Sequence, residues 1–151
     1  MTPQTARKSL TAHVAEKGAE IHAKYGPRIG WNELVRVLED PTCVRYPCRI
    51  EFGATELQPG EFAFPVAVGE RPEDGFTMYV HPLFMAQLDA VPALVFYQLV
   101  LVNYGAFAAA ADAEAFGAAA LGLDREEYYA RVCDLADQVA LPEDPGAECG
   151  S

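Results

Sequence analysis

The side chains best equipped for chemistry in this sequence are four cysteines and three histidines, and their spacing limits what they can do. Cys43 and Cys48 are separated by Val44, Arg45, Tyr46 and Pro47. A zinc site takes four ligands, usually in pairs of tighter spacing. Cys133 falls inside a helical pattern and Cys149 lies in the C-terminal tail, so no second pair forms. Cys43 and Cys48 therefore read first as two ordinary thiols, and a redox or metal pair with His81 is the sharper alternative. Cys149 beside Gly150 is expected to be exposed and oxidisable, with no base at hand to activate it. His13 and His22 fall on opposite sides of a helix, cannot hold one ion together, and are expected on the surface. His81 ends a strand one step before a long loop, where a functional histidine could sit. A His-Pro step leaving a strand is more often structural.

There is no glycine-rich phosphate loop, no Gly-x-Ser-x-Gly elbow and no nucleophile paired with a base. The sequence thus assigns no catalytic residue, no metal ligand and no cofactor, and it favours a protein that is not an enzyme. One polar set deserves a pocket hypothesis. Tyr97, Leu101 and Tyr104 share a helical stripe at i, i+4 and i+7, with Gln98 beside it. Buried tyrosine and glutamine groups need hydrogen-bond partners, which His81, Asp112 and Glu114 could supply. The plain reading is a satisfied polar patch in the core. The sharper one is a pocket for a small polar ligand lined by His81, Tyr97, Gln98, Tyr104, Asp112 and Glu114.

These residues must be positioned by the stretch from Asp89 to Asp112, which holds no charge between its two aspartates. Pro92 to Tyr104 reads as a helix apolar nearly all round, and such a helix must be buried on every side. The stretch is long enough to span a bilayer. Its central Gln98, Asn103 and Gly105 and its acidic flanks argue instead for a soluble central helix.

Before it, residues 5–24 predict an amphipathic helix ended by Gly26-Pro27. Trp31–Glu39 predicts a second, stopped by Asp40-Pro41. Its tryptophan is expected to seal the core beside the first helix. Alternation then predicts strands at Arg49–Phe52, at Phe62–Val68 and at Phe76–His81. Within the second, Phe62, Phe64, Val66 and Val68 alternate with small residues, and Pro65 places the strand at an edge or a bulge. After the central helix, Asp112–Leu121 predicts another, and Asp124 with Glu127 forms a capping box for a last one running to about Val139. The expected fold is α+β. A small antiparallel sheet of about three strands packs on a buried central helix, with flanking helices. Residues 1–140 form one domain and 141–151 a flexible acidic tail.

At 151 residues and 51% hydrophobic composition the chain can bury a real core. Its first residues lack the apolar core of a signal peptide, which predicts a cytoplasmic protein. Net charge is −11, divided as +3 over residues 1–50, −6 over 51–110 and −8 over 111–151. Basic residues confined to the first third make a poor nucleic-acid binder, and no membrane association is expected. The acidic C-terminal third reads as a solvated surface, or as a docking face for a basic protein partner. The Ala-rich run from Ala106 to Ala120 permits close helix packing, within the chain or in a homo-oligomer.

The order from Phe76 to Leu121 also resembles the zincin metallopeptidases, especially those with glutamate as third zinc ligand. There an edge strand precedes a helix bearing His-Glu-x-x-His, and a later helix carries the glutamate within an Ala- and Phe-containing stretch. By that resemblance, which covers residues 45–123, Val95–Gly105 lies where the active helix would be. Tyr97 and Leu101 then stand in place of the zinc histidines, Gln98 in place of the catalytic glutamate, and only Glu114 remains as a ligand. One carboxylate cannot hold zinc, and glutamine cannot act as general base. The resemblance therefore implies a non-catalytic, zincin-like domain. The functional expectation is an interaction or accessory protein. A small-molecule binder or enzyme using the Tyr97 pocket is the alternative.

Overall fold

The computed structural model describes residues 3–105 and 108–139. Two helices open the chain, α1 (Pro3–Tyr25) and α2 (Trp31–Glu39). Three strands follow, β1 (Cys48–Phe52), β2 (Ala63–Ala67) and β3 (Phe76–Val80). Two short 3₁₀ turns over Pro82–Ala86 and Leu88–Ala90 lead into α3 (Val91–Tyr104). Then come α4 (Ala110–Leu121) and α5 (Arg125–Asp137). The class is α+β, as the periodicity predicts, and no helix among the described residues is long and apolar enough to cross a membrane.

The sheet is mixed, where an antiparallel one was expected. Its order is β1-β3-β2. β2 and β3 are antiparallel, whereas β1 runs parallel to β3 with Cys48 opposite Phe76 and Phe52 opposite Val80. Successive strands do reverse direction along the chain. The difference arises because β3 inserts between β1 and β2 and so lies beside a strand that points its own way. Pro65 sits on an edge strand, as its missing N–H requires. The bonds from His81 N to Phe62 O and from Val68 N to Gly75 O set the register. That register turns the Pro65 nitrogen away from β3.

Helix α3 is the centre. Ten of its residues, from Val91 to Asn103, are buried, and only Leu101 is exposed. Pro92 occupies its first turn, where the absent N–H costs nothing. The sheet covers one side of α3 through Met78 and Val80, both fully buried. On β2 the small residues Ala63 and Pro65 face inward, while Phe64 is 40% exposed and Val68 62%. The large side chains of that strand point outward because the small ones let its backbone approach α3. Trp31 stacks on Phe52 of β1, with ring centroids 5.7 Å apart. It therefore closes the sheet end of the core, where the first helix was its expected neighbour.

Helices α4 and α5 cover the rest. Tyr128 of α5 is fully buried and its hydroxyl donates to the Ala93 carbonyl of α3 at 2.6 Å. Gly117 makes room for that ring, since a Cβ there would fall 2.1 Å from Tyr128 Cζ. The alanine-rich surface of α4 packs inside the chain, against α1. A Cβ on Gly18 would come within 2.5 Å of the Phe116 carbonyl oxygen and 2.9 Å of Ala119 Cβ. Helix α4 ends at Gly122, whose left-handed backbone (φ 68°) favours glycine.

Replacing Gly18 with valine must therefore separate α1 from α4. Overpacking of this kind costs about 2 kcal/mol, so G18V should lower the urea midpoint clearly with little change in slope. An unchanged midpoint would show that the helices are not in this contact.

Candidate functional site

Among the described residues, those of the expected polar pocket are divided between different surroundings. Asp112 is fully buried and serves as an anchor: Oδ1 accepts from Thr11 Oγ1 at 2.6 Å and Oδ2 from Ala109 N at 2.8 Å. It ties the start of α4 to α1. His81 Nδ1 accepts from Leu83 N at 3.1 Å and caps the 3₁₀ turn. Tyr97 packs edge-on against Phe62, with centroids 6.1 Å apart. Burial raises the pKa of the Tyr97 hydroxyl, and the nearby Glu114 carboxylate and Tyr129 add to the rise. Glu114 meets Arg125 at 3.3 Å. Gln98 Oε1 is buried with no hydrogen-bond partner among the described residues. Tyr104 belongs elsewhere, edge-on to His13 at 5.7 Å. Two helical turns separate Tyr97 from Tyr104, enough to put them among different neighbours.

The thiols do not form a pair either. Cys43 and Cys48 are both free and line different cavities. Burial pushes Cys48 up to about 12 and raises Cys43 as well. Cys133 is disulfide-bonded, and Cys149 lies outside the described residues. No three His, Cys, Asp or Glu side chains converge as metal ligands among the described residues, so Cys43, Cys48 and His81 do not assemble. Of the other histidines, His13 is exposed. His22 is half-buried, where a surface residue was expected: its Nδ1 lies 3.2 Å from the Ala120 carbonyl, and its ring sits over Gly122.

Two cavities among the described residues lie at the other end of the sheet, beside the Pro41–Pro47 loop. The larger is an open groove of about 570 Å³, a size suited to a ligand or a partner's side chains. Leu38, Val44, Pro47, Val68 and Phe76 make it apolar, and Arg45 and Arg49 stand among its lining. The smaller, of about 250 Å³, is of mixed polarity and includes His13, Lys17, Arg45, Asn103 and Tyr104. Pro41, Val44 and Arg45 line both.

Asp40 fixes this loop. Its carboxylate accepts from Lys24 Nζ at 2.6 Å, Tyr25 OH at 2.7 Å, Thr42 Oγ1 at 2.7 Å and Thr42 N at 2.9 Å. Its carbonyl accepts from Cys43 N and Val44 N. Two α1 side chains and a tight turn thus hold one carboxylate between them. Farther on, Arg45 N donates to Asn103 Oδ1 of α3 at 2.9 Å, and Phe76 N donates to Pro47 O at 2.8 Å. The loop is pinned to α1, α3 and β3 in turn. The sequence draws attention only to the cysteines of this stretch, because its other cavity-lining residues are common ones. The available signal was a loop bracketed by two prolines and carrying Arg45, with Arg49 just beyond it, in a chain otherwise rich in acid.

No known family, curated protein or solved structure matches this chain.

Two outcomes follow from the geometry. The Lys24 hydrogen bond, followed by those from Thr42 and Tyr25, holds the Asp40 carboxyl well below the usual carboxylate range. A depressed folded-state value gives stability that is full above the unfolded pKa of about 4 and lost as pH falls through the folded value. Denaturation midpoints should therefore drop as acid is added below about pH 4, and Asp40→Asn should flatten that part of the profile. Identical acid profiles would contradict the anchor. In the native protein at pH 8, iodoacetamide should spare Cys48, whose thiolate is disfavoured by burial. Alkylation there as fast as in denaturant would show the thiol to be open.

Proposed function

We propose that this protein is a non-catalytic interaction module, and that its groove beside the Pro41–Pro47 loop receives apolar side chains of a protein partner. The observation that carries this reading is the groove itself. It offers about 570 Å³ of mainly apolar space, and the thiol in its lining, Cys48, is buried with its pKa pushed up to about 12. Apolar surface held open by a pinned loop gains free energy when a partner covers it, at roughly 25 cal/mol per Å². The outward-facing Phe64 on β2 is a further exposed apolar side chain, 40% exposed.

The resemblance to zincin-like domains supports the same reading. On such a scaffold Tyr97, Gln98 and Leu101 replace the groups that bind metal and activate water, leaving a domain that binds without cutting. The net charge of −11 favours a basic partner and faster association at low salt.

Val68 is 62% exposed and lines the groove, so Val68→Glu can be made without disturbing the core. Affinity capture with the unmodified chain should recover a partner, and V68E should lose it while keeping the same melting temperature. Equal recovery by both would remove the groove from the interaction.

A further inference from the structure

The smaller cleft carries an inference beyond partner docking. Three basic side chains of an acidic protein meet at one cavity of about 250 Å³: His13 and Lys17 from α1, and Arg45 from the loop. The geometry points to a binding site for the phosphoryl group of a small molecule between α1, the Pro41–Pro47 loop and the end of α3.

Each wall contributes a donor. Asn103 is buried to 6% exposure, and its Oδ1 already accepts from Arg45 N. The acceptor end of that amide is spent on the loop, which leaves its NH₂ as the end able to donate. Tyr104 is held edge-on to His13, and burial raises its hydroxyl pKa while Lys17 and Arg45 pull it back. The hydroxyl therefore stays protonated as a donor and lies within the field of both cations. The carboxylates nearby do not claim the site. Asp40 is occupied by Lys24, Tyr25 and Thr42. Glu20 meets Lys17 at 3.3 Å in an exposed pair, which solvent screens and a dianion can replace. Two formal positive charges with donors from three elements suit a tetrahedral dianion better than a planar carboxylate, because more of its oxygens can be met.

This site shares Pro41, Val44 and Arg45 with the apolar groove, yet it stands without the partner reading, because Lys17, Asn103 and Tyr104 line the cleft alone. The test is a titration of the full chain with inorganic phosphate, followed by two-dimensional amide NMR. Saturable shifts are expected at Thr42, Arg45 and the Asn103 side-chain amide, with acetate binding more weakly. Lys17→Met should weaken phosphate about tenfold, the loss of one charge-assisted contact. Arg131→Gln, the same charge change on α5, should not weaken it. The same spectra report whether each variant is folded. Shifts that grow linearly without saturating, acetate binding as tightly as phosphate, or equal affinity in K17M and R131Q would each overturn the site. Partner capture by K17M remains a separate readout, so failure here leaves the groove reading to its own test.

Discussion

A helix with no polar face imposes the architecture. Val91–Tyr104 cannot meet water along most of its circumference, so the remaining elements are arranged to cover it. The sheet takes one side through Met78 and Val80, and α4 and α5 take others through Phe116 and Tyr128. Coverage also demands that polar backbone and side-chain groups be satisfied where water is excluded. The Tyr128 hydroxyl on the Ala93 carbonyl is the clearest case, and it depends in turn on Gly117 leaving space for the ring. Close packing then propagates outward. Helix α4, pressed onto α3, presents small residues to α1, and Gly18 lets α1 come near enough to use them. Asp112 locks the same pair of helices from the other end.

The two cavities are a consequence of how α1 and α2 are joined to the sheet. Helix α2 must stop at Pro41, and the chain must return to begin β1 at Cys48. The connection is held by Asp40 at one end and by the Pro47–Phe76 bond at the other, with Asn103 in the middle. Space remains on both sides of this anchored loop, the larger cavity mainly apolar and the smaller of mixed polarity.

Much of the fold was legible in the sequence. Hydrophobic period located every helix and strand to within a few residues, because Gly, Pro and capping residues mark their ends. Strand direction was not legible. It depends on β3 entering between β1 and β2, a long-range choice that no local pattern encodes. The facing of β2 was also hidden. Alternation shows that Phe64 and Val66 share a face but not which face is inward, and here close approach to α3 selected Ala63 and Pro65. For the site, the sequence drew attention to Tyr97, Gln98 and Tyr104 as polar groups in an apolar helix. Their polarity was informative, but their grouping was wrong, since Tyr97 and Tyr104 look out on different neighbours. Lys17 and Val68 carried no warning, since single basic and apolar residues are common on any surface and only folding brings them to a cavity.

The central claim is that the groove beside the Pro41–Pro47 loop is where this protein meets its partner. The most direct measurement is site-specific photo-crosslinking in living cells. A benzophenone side chain would replace Tyr46, in the groove, and in parallel Glu126, exposed on α5. The account predicts a discrete crosslinked product from position 46 and none from position 126. A product from 126 alone, or the same product from both, would place the interaction elsewhere and contradict it.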